Sequence, residues 1–384
     1  MKTLLMRLIR AALHNESIEA LTDSLDDTAI KDLYHLSKKH DMVHLVGHAL
    51  LPLAAKFPEN EYFPKFKKQF MIAVLRYEKI NYVLNEITSL FENEKIPHLP
   101  LKGSVLRDYY PEPWMRTSCD IDILIHEEDL ERASAAITEK LGYQNDTVSR
   151  HDISFFTPNG VHFELHFSMI EDHILGCVDK PLERVWNYAV PIADGSCRYI
   201  LSPEMFYYYH IAHMAKHFVH GGCGIRPFLD LHILKDTLSL DEEKLGALLS
   251  EGGLVTFTKE ARFLADVWFE GAAHTELTKS MEAYLLSGGT YGTLENHITM
   301  QQTKKGGKFR YLLSRIFVTP SQLATVYPSL KKHKWLYPIY TVRRWFRLFL
   351  PGRMKRSVQE LKATQNASNE DVAFATSLLK QLDL

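Results

Sequence analysis

Apolar residues recur every three or four positions between Phe63 and Phe91, through Phe66, Phe70, Val74, Tyr77, Ile80, Leu84 and Ile87. That spacing predicts one long amphipathic helix, with Pro64 in its first turn and an end before Pro97. The chain before it carries the same period, so residues 1–95 predict an N-terminal helical region. From residue 96 the period changes. Ile96–Leu101 predicts a short strand, Gly103–Tyr110 a helix closed by Pro111, and Cys119–Ile125 a strand. Glu127–Leu141 predicts a helix with acids in its first turn, Lys140 in its last and Gly142 as terminator. Ile153–Thr157 and Val161–Ser168 predict a hairpin across Pro158-Asn159-Gly160. Residues 96–200 are therefore expected to form a small mixed α/β core.

Beyond it, Ser202-Pro203-Glu204 is a helix cap with proline at the first helical position. Residues 201–384 predict a C-terminal helical region, interrupted at Gly221-Gly222, Gly252-Gly253, Gly288-Gly289 and Gly306-Gly307. The expected class is α+β: a mixed-sheet core flanked by N-terminal and C-terminal helices. The 384 residues, 46% of them hydrophobic, suffice for ordinary globular cores. The four cysteines show no Cys-x-x-Cys spacing and suggest neither a zinc ribbon nor a disulfide framework. Arg7 and Arg10 break the apolar run of Met1–Leu13, which fits an amphipathic helix better than a signal peptide. No uncharged apolar run is long enough to span a bilayer, and a cytoplasmic protein is expected.

Charge changes this picture in one place. The formal net charge is −2, but residues 303–359 hold 14 Lys/Arg and no Asp/Glu, which leaves −16 for the rest. A block so basic predicts an anionic partner or a complementary acidic surface in the fold. Within it, Trp335–Phe349 mixes aromatics with Arg343, Arg344 and Arg347. Either the aromatics pack inward while the arginines snorkel outward, or the segment meets an anionic acceptor, a nucleic acid or a membrane edge. Lys331, Lys332, Lys334, Arg353, Lys355 and Arg356 are expected to be its exposed cations, and Arg343, Arg344 and Arg347 to be partly packed.

Alternation also carries chemistry. In Cys119–Ile125 it sets Asp120 and Asp122 on one side and Ile121, Ile123 and Ile125 on the other. In Val161–Phe167 it sets His162, Glu164 and His166 opposite Val161, Phe163, Leu165 and Phe167. Three carboxylates over one cleft repel unless a cation lies between them, which points to Mg²⁺ or Mn²⁺ and a phosphoryl-transfer site.

Lys102-Gly103-Ser104, Arg116, Asp120-x-Asp122, Leu141-Gly142-Tyr143 and Glu164-Leu165-His166 together resemble the nucleotidyltransferase superfamily. The pattern is similar to its uncharacterised bacterial branch, often met beside polysaccharide-biosynthesis genes. The resemblance continues through the His213/His217 helix and Tyr327-Pro328. It implies transfer of a nucleoside monophosphate from an NTP, ATP being the expected donor, to a hydroxyl or phosphate acceptor that is itself anionic in one version. It also implies that Asp120 and Asp122 bridge metal ions, with Glu164 holding the ion nearer the acceptor.

Gly103-Ser104 alone reads as a turn. With the resemblance it becomes the phosphate-binding helix start, Gly103 admitting the triphosphate and Ser104 donating to it, so that a side chain at 103 would cost binding but not the fold. Lys102 and Arg116 would add positive charge, unless each pairs with an Asp. His210, His213, His217 and His220 share one side of a helix, and only His213/His217 are spaced to chelate together. A structural network, an acceptor or base role for His213, His217 and Asp230, and a zinc site all remain open. Two other functions compete with transfer: an inactive nucleotide-binding module, against which the three intact acids argue, and an RNA-directed transferase, for which no RRM-like or KH-like signature is present.

Overall fold

A computed structural model describes residues 1–170, 176–289, 294–305, 308–320, 323–324, 327, 329–348, 364 and 368–384. The described residues form two compact units, one of residues 1–216, 225–279 and 383, the other of residues 217–224, 280–382 and 384.

The first unit opens with α1 (Lys2–His14), α2 (Asp27–Lys39) and α3 (Val43–Leu50), then α4 (Tyr62–Asn93). In α4 the buried side chains Phe63, Phe66, Ala73, Ile80, Leu84, Ile87 and Phe91 keep the three-four spacing that predicted the helix. Lys95, at φ 55°, turns the chain out of it. Next come β1 (His98–Pro100), α5 (Gly103–Leu106), β2 (Asp120–Ile125), α6 (Leu130–Leu141), β3 (Gln144–Val148), β4 (Asp152–Phe156) and β5 (His162–His166). The sheet order is β1-β2-β5-β4-β3. β2 runs parallel to β5, and the other pairs are antiparallel.

One face of the sheet is apolar. Ile121, Ile123, Ile125, Phe155, Phe163 and Leu165 are buried together with Ile80, Leu84 and Ile87 of α4 and Ala133 and Ile137 of α6. α6 ends where expected: Gly142 takes φ 68°, its N–H donates to Thr138 O at 3.2 Å, and the Tyr143 N–H reaches Ile137 O at 3.5 Å. Tyr143 is then buried against α4, its hydroxyl donating to Glu86. Helices on this face leave the other face of the sheet for the site.

The unit continues with α7 (Asp179–Leu182), the two-stranded ribbon β6 (Ala189–Pro191) and β7 (Tyr199–Leu201), most of α8 (Pro203–Val219), α9 (Arg226–Thr237), α10 (Glu242–Glu251) and α11 (Val255–Phe269). The β6–β7 ribbon was not anticipated from the sequence pattern, and three further details differ from it. The predicted helix at Glu127 begins as a 3₁₀ turn, Glu127–Asp129. The helix predicted for Gly103–Tyr110 is one α turn followed by a 3₁₀ turn, Arg107–Tyr109. β3 was not anticipated, because all five of its residues are exposed and no apolar alternation marks it.

The second unit contains most of α12 (Glu276–Gly288), then α13 (Leu294–Lys305), α14 (Lys308–Ile316) and the helices Ser329–Lys332, Tyr337–Leu348 and Asn369–Gln381. Gly221, at φ 132°, lies where a Cβ would meet the His297 backbone N at 3.1 Å, and His297 Nδ1–H donates to His220 O at 2.8 Å. No helix among the described residues is long and apolar enough to cross a membrane.

Candidate active site

The parallel register of β2 and β5 sets Asp120 opposite His162, Asp122 opposite Glu164 and Leu124 opposite His166. All five polar side chains therefore rise from one sheet face. Among the described residues, two groups of three bring their ligand atoms within 4.8 Å of one another: Asp120, His162 and Glu164, and Asp122, Glu164 and His166. Glu164 is common to both. The two histidines share the face that alternation had assigned to the acids, which was the available signal for including them.

The cluster is already charge-balanced in part. His166 Nε2–H donates to Asp122 Oδ1 at 2.9 Å and lies 3.3 Å from Glu164 Oε2. Lys102 Nζ donates to the same Asp122 oxygen at 2.9 Å. Burial pushes the Asp122 carboxyl up, but Lys102 and His166 outweigh it and hold the group well below the usual range. Burial likewise works against charge on Lys102 and His166, and the facing carboxylates overcome it in both, raising each pKa. Asp120 is raised by burial and by Asp122 beside it. Carboxylates predominate in the donor set, each group adds one imidazole, and an ammonium sits on Asp122. That chemistry fits a divalent cation.

Lys102 reaches Asp122 from a strained turn. Its backbone sits at φ 47°, ψ −124°, and the Ser104 N–H closes the turn onto Leu101 O at 3.1 Å. A side chain is disfavoured at that position of such a turn. Gly103 follows at a close approach: a Cβ there would lie 2.8 Å from Ser118 Cβ. Arg107 fixes both sides, donating from Nε to Gly103 O at 2.8 Å and from Nη2 to Ser118 Oγ at 2.7 Å. The glycine is thus required by packing whatever else it does, and the expectation that a side chain at 103 would spare the fold is corrected. Ser104 Oγ is buried with no hydrogen-bond partner, which leaves it to serve a ligand or nothing.

Arg116 faces a different carboxylate. Its Nε donates to Asp230 Oδ1 at 2.6 Å, its Nη2 to Asp230 Oδ2 at 3.0 Å and its Nη1 to Thr117 O at 2.7 Å. Tyr110 OH donates to Asp230 Oδ1 at 2.7 Å. Asp230 is fully buried, and both of its oxygens are engaged. Burial raises its pKa, but Arg116 and the neighbouring donors bring it below the usual range. His210, also buried, donates from Nε2 to Pro227 O at 3.1 Å.

α8 carries His213, which the sequence pattern singled out, and supplies two groups that it did not, Tyr209 and Lys216. Burial raises the Tyr209 hydroxyl pKa, and the group feels the charges of Lys102, Asp122, Glu164 and Asp120. His213, half-buried, has its ring 6.3 Å from that of Tyr209. Burial, helped by the charge of Lys102, lowers Lys216 to about 8. The recurrence of Tyr209, His213 and Lys216 along one helix was the available signal. His217 falls in the second unit.

In the basic segment, Lys332 and Lys334 are exposed and Arg344 is half-buried, as expected, whereas Arg343 is exposed. The side chains of Lys331 and Arg347, and residues Arg353, Lys355 and Arg356, lie outside the described residues. The inward-packing alternative is corrected for two of the aromatics: Trp335 and Phe346 are among the most exposed apolar side chains.

A family model described as an uncharacterised nucleotidyltransferase matches residues 26–270, well over half of the chain and all of the sheet. No curated protein matches it.

Proposed function

The chain belongs to the uncharacterised nucleotidyltransferase family, and from that premise we propose that it transfers a nucleoside monophosphate from ATP to a hydroxyl or phosphate acceptor. The observation that carries this reading is the register of β2 and β5, which gathers Asp120, Asp122 and Glu164 over one sheet face. These three acids would hold Mg²⁺ or Mn²⁺, with His162 and His166 orienting Glu164 and Asp122. A divalent ion bound there supplies neutralisation of the charge that develops on the transferred phosphoryl oxygens.

The remaining steps belong to the chain's own side chains. Lys102 and His166 keep Asp122 ionised. The Ser104 hydroxyl, buried and without a protein partner, donates to a nucleotide phosphate beside the Lys102–Gly103 turn. Arg116 is a positioning residue held by Asp230, and Asp230 carries no proton step because Arg116 holds its buried carboxyl below the usual range and makes it a poor base. The acceptor lies toward α8, where Lys216, with its lowered pKa, attracts an anionic group and His213 takes the proton from an attacking hydroxyl. We assign no step to His217.

The test is incubation of the purified protein with each α-labelled NTP, Mg²⁺ or Mn²⁺ and lysate fractions as acceptor source. Label transferred from ATP is the expected result, reduced about a hundredfold or more in Asp120→Asn and Glu164→Gln. The reading fails if both variants transfer label like the parent, or if calorimetry finds their Mg²⁺-ATP affinity unchanged.

A further inference from the structure

The helix Tyr337–Leu348 is apolar on two sides, and only one side has a partner among the described residues. Its inner side is fixed within the second unit. Tyr337, Tyr340 and Leu336 pack against Leu323, Tyr327 and Leu330. The Tyr340 and Tyr327 rings stack at 4.4 Å. Tyr337 OH donates to Val318 O at 2.7 Å, and Trp345 Nε1–H donates to Ile316 O at 3.0 Å. The outer side carries Trp335, in the 3₁₀ turn Lys334–Leu336 that leads into the helix, and Ile339, Val342 and Phe346, three and four residues apart within it. They are 70%, 56%, 44% and 71% exposed. The three helical positions fall at helical spacing and form one stripe rather than scattered positions, with Trp335 exposed in the turn that leads into it. Exposed Lys332, Lys334 and Arg343 flank it.

We propose that this stripe and its flanking cations are a surface anchor for an anionic lipid bilayer. Two independent observations meet here: an exposed apolar helix face, and a segment, residues 303–359, holding 14 positive and no negative side chains. A bilayer interface accepts both at once, apolar side chains at the acyl boundary and Lys/Arg among acidic headgroups. Nucleic acid would accept only part of this set. Trp335 and Phe346 have faces on which bases stack, but Ile339 and Val342 have neither a π face nor a donor. A second copy seated stripe to stripe would bring two sets of lysines and arginines together with no acidic residue in the segment to offset them. Since no described helix is long and apolar enough to cross a membrane, the anchor lies in the interface plane.

The experiment is cosedimentation of the full chain with phosphatidylcholine vesicles, with and without phosphatidylglycerol, at low and moderate salt. Binding is expected to the anionic vesicles and to weaken as salt rises. Ile339→Ser/Phe346→Ser should weaken partitioning about tenfold or more, with Trp335→Ser as a second probe of the same stripe. Lys332→Ser/Lys334→Ser should weaken it about fivefold per charge at low salt. These side chains are exposed, so the melting midpoints of all three variants should match the parent's. The proposal is overturned if the parent does not sediment with anionic vesicles, or if both stripe variants sediment like the parent. It is equally overturned if the chain binds single-stranded RNA but not vesicles, or if it runs as a dimer that Ile339→Ser/Phe346→Ser returns to monomer.

Discussion

Two buried ion pairs lie within the first unit, and they are built for different ends. Arg116–Asp230 is a two-pronged pair. All three guanidinium nitrogens donate, and Asp230 also accepts from Tyr110. Lys102–Asp122 is a single contact from a flexible ammonium, shared with His166 on one carboxylate oxygen, at the end of a strained turn. The first is the more fully engaged: three guanidinium N–H groups donate, both carboxylate oxygens accept, and Asp230 is fully buried. The second holds a cation on an acid that a metal or phosphate could take over. A buried, two-pronged pair positions the chain, and a single-contact pair beside other acids keeps a site poised.

Breaking each pair from its basic side should expose the difference. Arg116→Met leaves Asp230 fully buried with only the Tyr110 hydroxyl still donating to it, and a loss of about 3–5 kcal/mol in denaturant unfolding is expected. Lys102→Met leaves Asp122 still bonded to His166 and relieves no packing, so about 1–2 kcal/mol is expected. Equal losses, or the reverse order, would mean that the two pairs are energetically alike and the contrast is wrong.

Acid should discriminate between the same two regions. His44 is buried and donates from Nε2 to Met115 O at 2.9 Å, one residue before Arg116. Burial, only partly offset by that bond, lowers its pKa to about 4. The unfolded chain therefore binds this proton more tightly than the native one. The stabilisation is complete above the unfolded value of about 6.5 and declines as pH falls toward about 4. Roughly 3 kcal/mol should be lost across that window, and His44→Gln should flatten the slope. A stability profile between pH 7 and 4 that is the same in parent and variant would show that His44 is not held neutral.

What the sequence made visible was whatever repeats at short range. Period two placed Asp120, Asp122, Glu164 and both histidines on one face, and the three-four spacing of α4 marked the helix that covers the other. β3 stayed hidden because an exposed edge strand needs no apolar alternation. The identities of the ion pairs were hidden for another reason. Lys102 finds Asp122 twenty positions away, and Arg116 finds Asp230 across 114 positions. Nothing local distinguishes a lysine awaiting phosphate from one resting on an aspartate. Likewise Gly103 fits a phosphate turn and a tight approach equally well until Ser118 is seen beside it.

The smallest effect expected is also the most specific, because it separates the backbone of the Lys102 turn from its charge. Lys102→Met and Lys102→Gly both remove the ammonium from Asp122. They differ in what they leave at φ 47°, ψ −124°. Methionine keeps a Cβ in a conformation that disfavours one, and glycine adopts it freely. Against this, glycine makes the unfolded chain more mobile and gives up the contacts of the aliphatic stem. Strain of about 1–3 kcal/mol for such a residue exceeds that entropic cost of about 0.4–1 kcal/mol. Lys102→Gly should accordingly be more stable than Lys102→Met by about 1 kcal/mol, read from paired denaturant curves. The converse order would mean that the turn is relaxed and that lysine is held there for its stem rather than its charge. The Mg²⁺ affinity of the two variants, measured by calorimetry, should agree with each other and differ from the parent's, since both lack the cation that rests on Asp122.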